Sequence, residues 1–394
     1  MGRAISVASF GAGISYSNLA IGLPLLVLAQ AQTTFLAGSL IALNTIAIAL
    51  GALLALALRR PETGVAYGLC LIAAGAATLV LPPSTALTAL GALVHGAGHG
   101  LFWVGVQGGL GRRAGERGSE KAFVTQYSMY IGGSVAGGVL TGLGIAAFRA
   151  LGADKTMSLS LTFLFGALAA LAALPPVLSW LRNASTAMVR RPRLTLVAGF
   201  ALQTPDLFLV GAMGMLISLV PVVLSDEFEL TPFAIGLASG ATALAKIAGS
   251  FAAGRIARAA GARKAVGLML AASAISAGVL IGAQQPLLYI ALTVSATFFG
   301  IGAWPIIVDG ALARVRPADR ARVTIAWNVR EYTAIALATV AGGYLLDAAT
   351  SPAILLSFAT VLLGCAALSA LFVLRAPTQA PAESQEAPAR VGLA

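Results

Sequence analysis

Charge is what this chain most lacks. Of its 394 residues only 10% are Asp, Glu, Lys or Arg, against about 25% in an average soluble domain, which excludes a surface solvated on all sides. Histidine and cysteine are also scarce, with two of each. Cys70 and Cys365 lie far apart, each inside an apolar run, so neither a disulfide framework nor a cysteine metal site is indicated. There is no Gly-x-x-x-x-Gly-Lys-Ser/Thr loop, which argues against ATP as the driver. No cleavable signal peptide is evident. The opening Met-Gly-Arg-Ala-Ile-Ser loosely fits a myristoylation pattern, but the apolar run that follows at once is an anchor in itself.

The basic residues do not read as a nucleic-acid face either. The net charge is +11, yet Lys and Arg fall in short clusters between apolar runs, whereas nucleic-acid binding needs a basic face on a soluble domain. No nucleic-acid partner and no cofactor are expected.

What the chain has is hydrophobic length. Fully 58% of residues are hydrophobic and the mean hydropathy is +0.91, the composition of an all-α integral membrane protein whose partner is the lipid bilayer. Cutting at charges, prolines and polar gaps gives twelve apolar segments, near 5–29, 34–58, 64–81, 85–110, 122–148, 157–180, 194–224, 231–253, 265–283, 287–312, 323–346 and 352–374. Each approaches the ~20 residues a spanning helix needs. The Pro/Ala/Glu-rich stretch 376–394 reads as a disordered cytoplasmic tail.

Basic residues mark every second connection: Arg59/Arg60, Arg112/Arg113/Arg117/Lys121, Arg182/Arg190/Arg191/Arg193, Arg255/Arg258/Arg263/Lys264 and Arg314/Arg316/Arg320/Arg322. The alternate connections are neutral or acidic, with Arg149 and Lys155 the one exception. The positive-inside rule then places both termini in the cytoplasm. Ala/Gly/Arg-rich usage with short loops points to a bacterial inner membrane.

The longest basic connection between helices, 182–193, separates two sets of six segments, 1–181 and 194–375. The two sets repeat. Gln126-Tyr127-Ser128 followed by Val135-Ala136-Gly137-Gly138 matches Glu331-Tyr332-Thr333 followed by Val340-Ala341-Gly342-Gly343, at the same spacing. Gly98-x-Gly100 with Trp103 likewise parallels Gly300-x-Gly302 with Trp304. Internal repeats of this kind mark secondary transporters.

With these features the chain resembles the major facilitator superfamily over essentially its whole length. Gly254 to Lys264 is similar to that family's Gly-x-Leu-Ala-Asp-Arg-x-Gly-Arg-Lys loop, with Arg258 where Asp is expected, and the counterpart Arg59 to Gly64 is truncated. Val94 stands where the family often carries a membrane-embedded Arg. Gly133 to Gly138 is similar to the drug:proton antiporter motif Gly-Pro-x-x-Gly-Gly, with Ser134 in place of Pro. The resemblance implies twelve transmembrane helices in two pseudo-symmetric six-helix bundles, alternating access, and a central site built mainly by segments one, four, seven and ten.

Polar residues inside apolar segments are the candidate site, because each costs about 2.5–3.5 kcal/mol to insert when ionisable. His95, His99, Trp103 and Gln107 recur every fourth residue and form one stripe on a helix. The imidazoles are candidates for proton relay or substrate hydrogen bonding, and the His-x-x-x-His spacing also permits a metal clamp, for which Asp206 is the one plausible third ligand. Asp206, beside Gln203 and Pro205, is a coupling or substrate candidate. Arg330 and Glu331, flanked by Trp327, are expected in the transport cycle or as a pair satisfying each other, with the repeat setting Gln126 and Tyr127 opposite them. Lys246 is a candidate anion ligand, or a partner for Asp206 or Glu331. Tyr16, within Ser15-Tyr16-Ser17-Asn18, and Asn44 complete the set. Trp304 and Tyr130 are weighed as stacking residues, and Asp309 as a solvated gate residue.

The expected function is secondary active transport of a small amphipathic or aromatic molecule, proton-coupled and outward, by a monomer. Uptake of an anionic metabolite, with Arg330 and Lys246 as counter-charges, is the alternative within that class. A non-transporting membrane sensor or scaffold and a His95/His99 metalloenzyme are the alternatives outside it.

Overall fold

The computed structural model describes residues 2–30, 32–58, 60, 62–113, 119–182, 204–312, 320–349 and 351–373. Within them the apolar segments are α-helices, with no strand among the described residues. They are α1 (Gly2–Ala29), α2 (Thr34–Leu54), α3 (Thr63–Val80), α4 (Thr85–Arg113), α5 (Ser119–Ala150), α6 (Lys155–Ala172), α7 (Leu174–Arg182), α8 (Thr204–Asp226), α9 (Pro232–Ala260), α10 (Ala262–Leu280), α11 (Pro286–Leu312), α12 (Arg320–Ala348) and α13 (Ala353–Val373). The sixth segment is both α6 and α7, broken at Ala173 just before Pro175 and Pro176, whose missing N–H groups interrupt the helical ladder. Among the described residues, thirteen α-helices therefore make twelve passes.

Eleven passes are long and apolar enough to cross a membrane. The twelfth, α12, is interrupted by Asn328, Arg330 and Glu331, which belong to the site described below. Leu50, Leu90, Leu168, Leu244, Phe251, Leu268, Ile275 and Val361 are exposed on the outside of the bundle. Polar side chains such as Asn18, Asn44, His95, Gln126 and Asp206 are buried instead. A protein with an apolar exterior and polar groups inside is built for lipid.

Packing follows the sequence repeat. In the first half pass one lies on five and six, two on four, and three on four and six. In the second half seven lies on eleven and twelve, eight on ten, and nine on ten and twelve, the same scheme advanced by six. The halves join through α2 on α12 and α5 on α9, a symmetric pair of crossings.

Glycines make those crossings close. A Cβ at Gly38 would sit 2.8 Å from the Thr339 carbonyl, and one at Gly236 would strike the Gly138 carbonyl. In each repeat-related Gly-Gly pair the first glycine faces the first helix of its own half, Gly137 on Ile14 and Gly342 on Met215 and Leu219. The second faces the other half, Gly138 on Gly236 and Gly343 on Gly38. Small residues suit this position because lipid supplies no hydrophobic drive between helices, so close van der Waals approach does the joining.

Both crossings lie toward the end opposite the basic connections, and a hydrogen-bonded clasp closes one of them. The Asp347 carboxylate accepts from the backbone N–H of Thr34 and of Phe35, both at 2.8 Å. Thr33 accepts the next N–H, from Leu36. Three otherwise orphaned donors at the α2 N-terminus are thus satisfied, two of them by a residue of the other half. Phe35 and Tyr344 meet edge to face beside them. At the opposite end, the loop-like stretch from Gly254 to Lys264 is largely helical, since α9 continues to Ala260 and only Gly261, at φ +85°, breaks the chain before α10.

Candidate functional site

The second half holds its charges together. Arg330 on α12 donates through Nη2 to Asp206 Oδ2 of α8 at 2.8 Å, with both side chains buried. Its guanidinium carbon lies 5.4 Å from the centre of the Trp327 ring. Glu331 points elsewhere, because neighbours on a helix are about 100° apart. Glu331 Oε1 accepts from Trp327 Nε1, one turn earlier on α12, and from Trp304 Nε1 of α11, both at 2.6 Å. No cation among the described residues reaches Glu331, while the Asp206 carboxyl is close enough for the two to interact electrostatically. Arg330 and Glu331 therefore do not satisfy each other, and Lys246 pairs with neither carboxylate. The cluster contains one guanidinium and two carboxyl groups.

The first half buries neutral groups. Asn44 Nδ2 donates to the Ala92 carbonyl at 2.7 Å, which fixes the orientation of the amide, and lies 3.4 Å from His95 Nδ1. An amide nitrogen can only donate, so Nδ1 accepts and His95 Nε2 carries the hydrogen toward Ser15 Oγ at 3.0 Å. His95 is thus fixed by α1 and α2 and offers no free lone pair to a metal. Among the described residues no group of three His, Cys, Asp or Glu is placed to hold one.

His99 has no such partners. Both ring nitrogens are buried without a hydrogen bond, and the ring lies 4.7 Å from His95, 5.5 Å from Tyr16 and 6.5 Å from Tyr130 between centroids. Trp103 packs on Tyr130 at 4.8 Å. Gln126, the repeat counterpart of Glu331, also leaves both ends of its amide buried and unbonded.

The two groups face one another. Tyr127 of α5 and Tyr332 of α12 each lie within electrostatic reach of both Tyr16 and Glu331, so the residues paired by the repeat meet around one interior region. Lys246 borders it from α9. At 100° per residue it sits on the face opposite Leu237, Leu244 and Phe251, which are exposed on the outside. Its neighbour Ile247 packs against the apolar cluster that contains Tyr130 and that Tyr16, Trp103 and Tyr127 also pack against. Lys246 has no ion pair among the described residues.

Of the residues singled out in the sequence, Gln203 and the side chain of Asp309 lie outside the described residues. Asn44 and His95 are brought together as a structural pair; Asp206, Trp304, Trp327, Arg330 and Glu331 form the charged cluster, and His99, Tyr16, Trp103 and Tyr130 an aromatic one. Sequence reasoning gave Ser15 no role of its own, although it stood in the polar run around Tyr16. Trp304 was seen only as a stacking residue, although its kinship with Trp103 marked it as interior.

A buried polar interior enclosed by two symmetric sets of six helices defines a membrane transporter fold, and the matches with known proteins agree. Residues 207–394 match the family model of the Major Facilitator Superfamily. A bacterial homologue of the human lysosomal transporter Spinster, inward-facing and occupied, superposes with a TM-score of 0.72 at 14% identity, over 94% of this chain and 96% of that one. The nucleoside transporter NupG gives 0.72 at 12% identity over 95% and 100%. A bacterial homologue of the iron transporter ferroportin, also inward-facing, gives 0.70 at 11% over 94% and 98%. No curated protein matches the sequence. The second half of the chain thus matches the Major Facilitator Superfamily model, and the chain over nearly its whole length has the fold of these transporters.

Proposed function

We propose that this protein is a proton-coupled secondary transporter that exports a small amphipathic or aromatic molecule by alternating access. Bundles 1–181 and 194–375, joined by the 182–193 connection, rock about the shared interior. The protein acts as a monomer in a bacterial inner membrane with both termini in the cytoplasm. The glycine crossings and the Asp347 clasp support an arrangement closed on the outer side, in keeping with the inward-facing states of two of the similar structures.

One observation carries the coupling. Arg330 is taken by Asp206, so Glu331 is left with two indole donors and no cation. With both carboxylates ionised the cluster has one negative charge in excess, which a proton or a cationic group on the substrate can balance. Both address the same carboxylate, so binding of one opposes the other. Mutual exclusion of this kind turns an inward proton gradient into outward substrate movement. The aromatic surfaces of Tyr16, Trp103, Tyr127 and Tyr130 provide the rest of the contact.

The test is proton movement in proteoliposomes, followed with a pH-sensitive dye while compounds of several classes are added. Glu331→Gln keeps an oxygen for both indoles but no charge; proton movement and the transport of a cationic substrate are both expected to be lost while the fold is kept. Proton movement unchanged in Glu331→Gln combined with Asp206→Asn would refute the assignment. A second reading, uptake of an anionic metabolite, is favoured by Lys246 having no acidic partner, although the Arg330 it also enlists is already neutralised. The direction of counterflow in right-side-out vesicles separates the two.

A further inference from the structure

The geometry points to a substrate class for this interior: an extended zwitterion, with its cationic group on Glu331, its anionic group on Lys246 and an aromatic or apolar body between. The inference rests on the transporter reading and adds the chemistry of the ligand.

Two unpaired charges of opposite sign border the region. Glu331 has no cation and Lys246 has no anion among the described residues. They are at similar depth. Lys246 is fourteen residues from Pro232 at the start of α9, and Glu331 is seventeen from Ala348 at the end of α12, both counted from the end opposite the basic connections. At about 1.5 Å per residue the two levels differ by only about 5 Å.

The two charges do not neutralise each other: Lys246 and Glu331 form no ion pair, their helices α9 and α12 do not pack together, and α11 touches both. Its Gly302 is pressed against Gly249 of α9, one turn beyond Lys246, while its Trp304 reaches across to Glu331. A monocation would leave Lys246 uncompensated, and a monoanion would leave Glu331 so. Only a molecule bearing both charges compensates both, and desolvated charges are costly when unpaired.

The separation favours charges at opposite ends of a molecule over charges on one carbon. The material between them is set by the neighbouring surface. Ile247 packs against the same apolar cluster as Tyr16, Trp103 and Tyr127, a cluster that includes Tyr130, and these aromatics offer a wall suited to a flat apolar body. Arg330 is excluded as the anion ligand by its bond to Asp206.

Three matched probes test this on the purified full-length protein: 4-(aminomethyl)benzoate, which carries both charges across a ring, 4-methylbenzylamine, which carries the positive one, and 4-methylbenzoate, which carries the negative one. Calorimetric titration is expected to show the first binding at least about tenfold more tightly than either control. Lys246→Met should erase its advantage over 4-methylbenzylamine, by weakening the zwitterion and not the amine. Glu331→Gln should erase its advantage over 4-methylbenzoate. Equal binding by either singly charged probe, binding by none of the three, or a preference that survives Lys246→Met overturns the proposal. Counterflow of the same probes in proteoliposomes distinguishes the two levels. Flux that ignores the zwitterion's second charge leaves the transporter reading standing and removes this one, while charge-selective binding with no flux does the reverse.

Discussion

Where the first half of the molecule buries His95 against Ser15 and Asn44, the second buries Arg330 against Asp206. The helices around these groups pack by one scheme, down to the direction each paired glycine faces. The chemistry diverges at equivalent positions: Gln126 occupies the place that Glu331 takes in the other half. Helix packing is thus duplicated while ionisation is confined to one side. In the transport cycle proposed above, the neutral half would supply shape and aromatic surface, and the charged half the groups whose state changes.

The sharpest way to break that contrast is to remove one member of the ion pair. Arg330→Met leaves the Asp206 carboxylate buried and alone, with an expected loss of about 3–5 kcal/mol, read as a large drop in thermal unfolding temperature in detergent. Adding Asp206→Asn should restore most of it. A single variant as mild as those in the first half would mean that the pair is not structurally coupled.

Next come the crossings, where the halves should respond alike. Gly38→Val and Gly236→Val each force a side chain onto a facing backbone carbonyl, for an expected cost of about 1–3 kcal/mol. Thermal unfolding of both variants checks the equivalence. A strong effect at one crossing and none at the other would deny the symmetry.

Within the neutral half the two histidines should separate. His95→Leu removes the partner of Ser15 and Asn44 and is expected to cost about 1–3 kcal/mol. His99→Phe preserves the ring contacts and removes two unbonded nitrogens, so stability should hold within about 0.5 kcal/mol while probe binding weakens. Calorimetry beside thermal unfolding distinguishes them, and a destabilised His99→Phe with intact binding would reverse the two roles.

The smallest effect is expected at the clasp. Asp347→Ala exposes two N–H groups that water can meet, with a loss of about 0.5–2 kcal/mol, measured by thermal unfolding. Cysteines introduced at Phe35 and Tyr344 should then cross-link more slowly as the end opens.

Much of this was legible in the sequence. Runs of apolar residues gave most of the passes to within a few residues, because a helix in lipid must satisfy its own backbone and so declares itself by length; the eighth runs on to Ala260, and the expected start of the seventh at 194 lies outside the described residues. The repeat predicted which glycines and aromatics would occupy equivalent places. What the sequence concealed was partnership across distance. Arg330 and Glu331 are adjacent and of opposite sign, which invites pairing them, yet Arg330 finds Asp206, 124 positions earlier. His95 and His99 share one face of α4, but only the helices packed there make one fixed and leave the other unbonded. The break at Pro175 and Pro176 was carried in the residues themselves and was passed over because the apolar run continues through it.

The clasp at Asp347 has a mechanical side. Its hydrogen bonds are at the surface, where water offers nearly equal replacements, and the glycine faces beneath it present backbone with no interlocking side chains. Such a joint resists tilting little once the clasp lets go. It behaves as a bearing with a light catch, holding the resting position without storing much work. In the alternating-access cycle proposed above, the energy that turns one half against the other would then come from the buried charges and their ligand, not from the hinge.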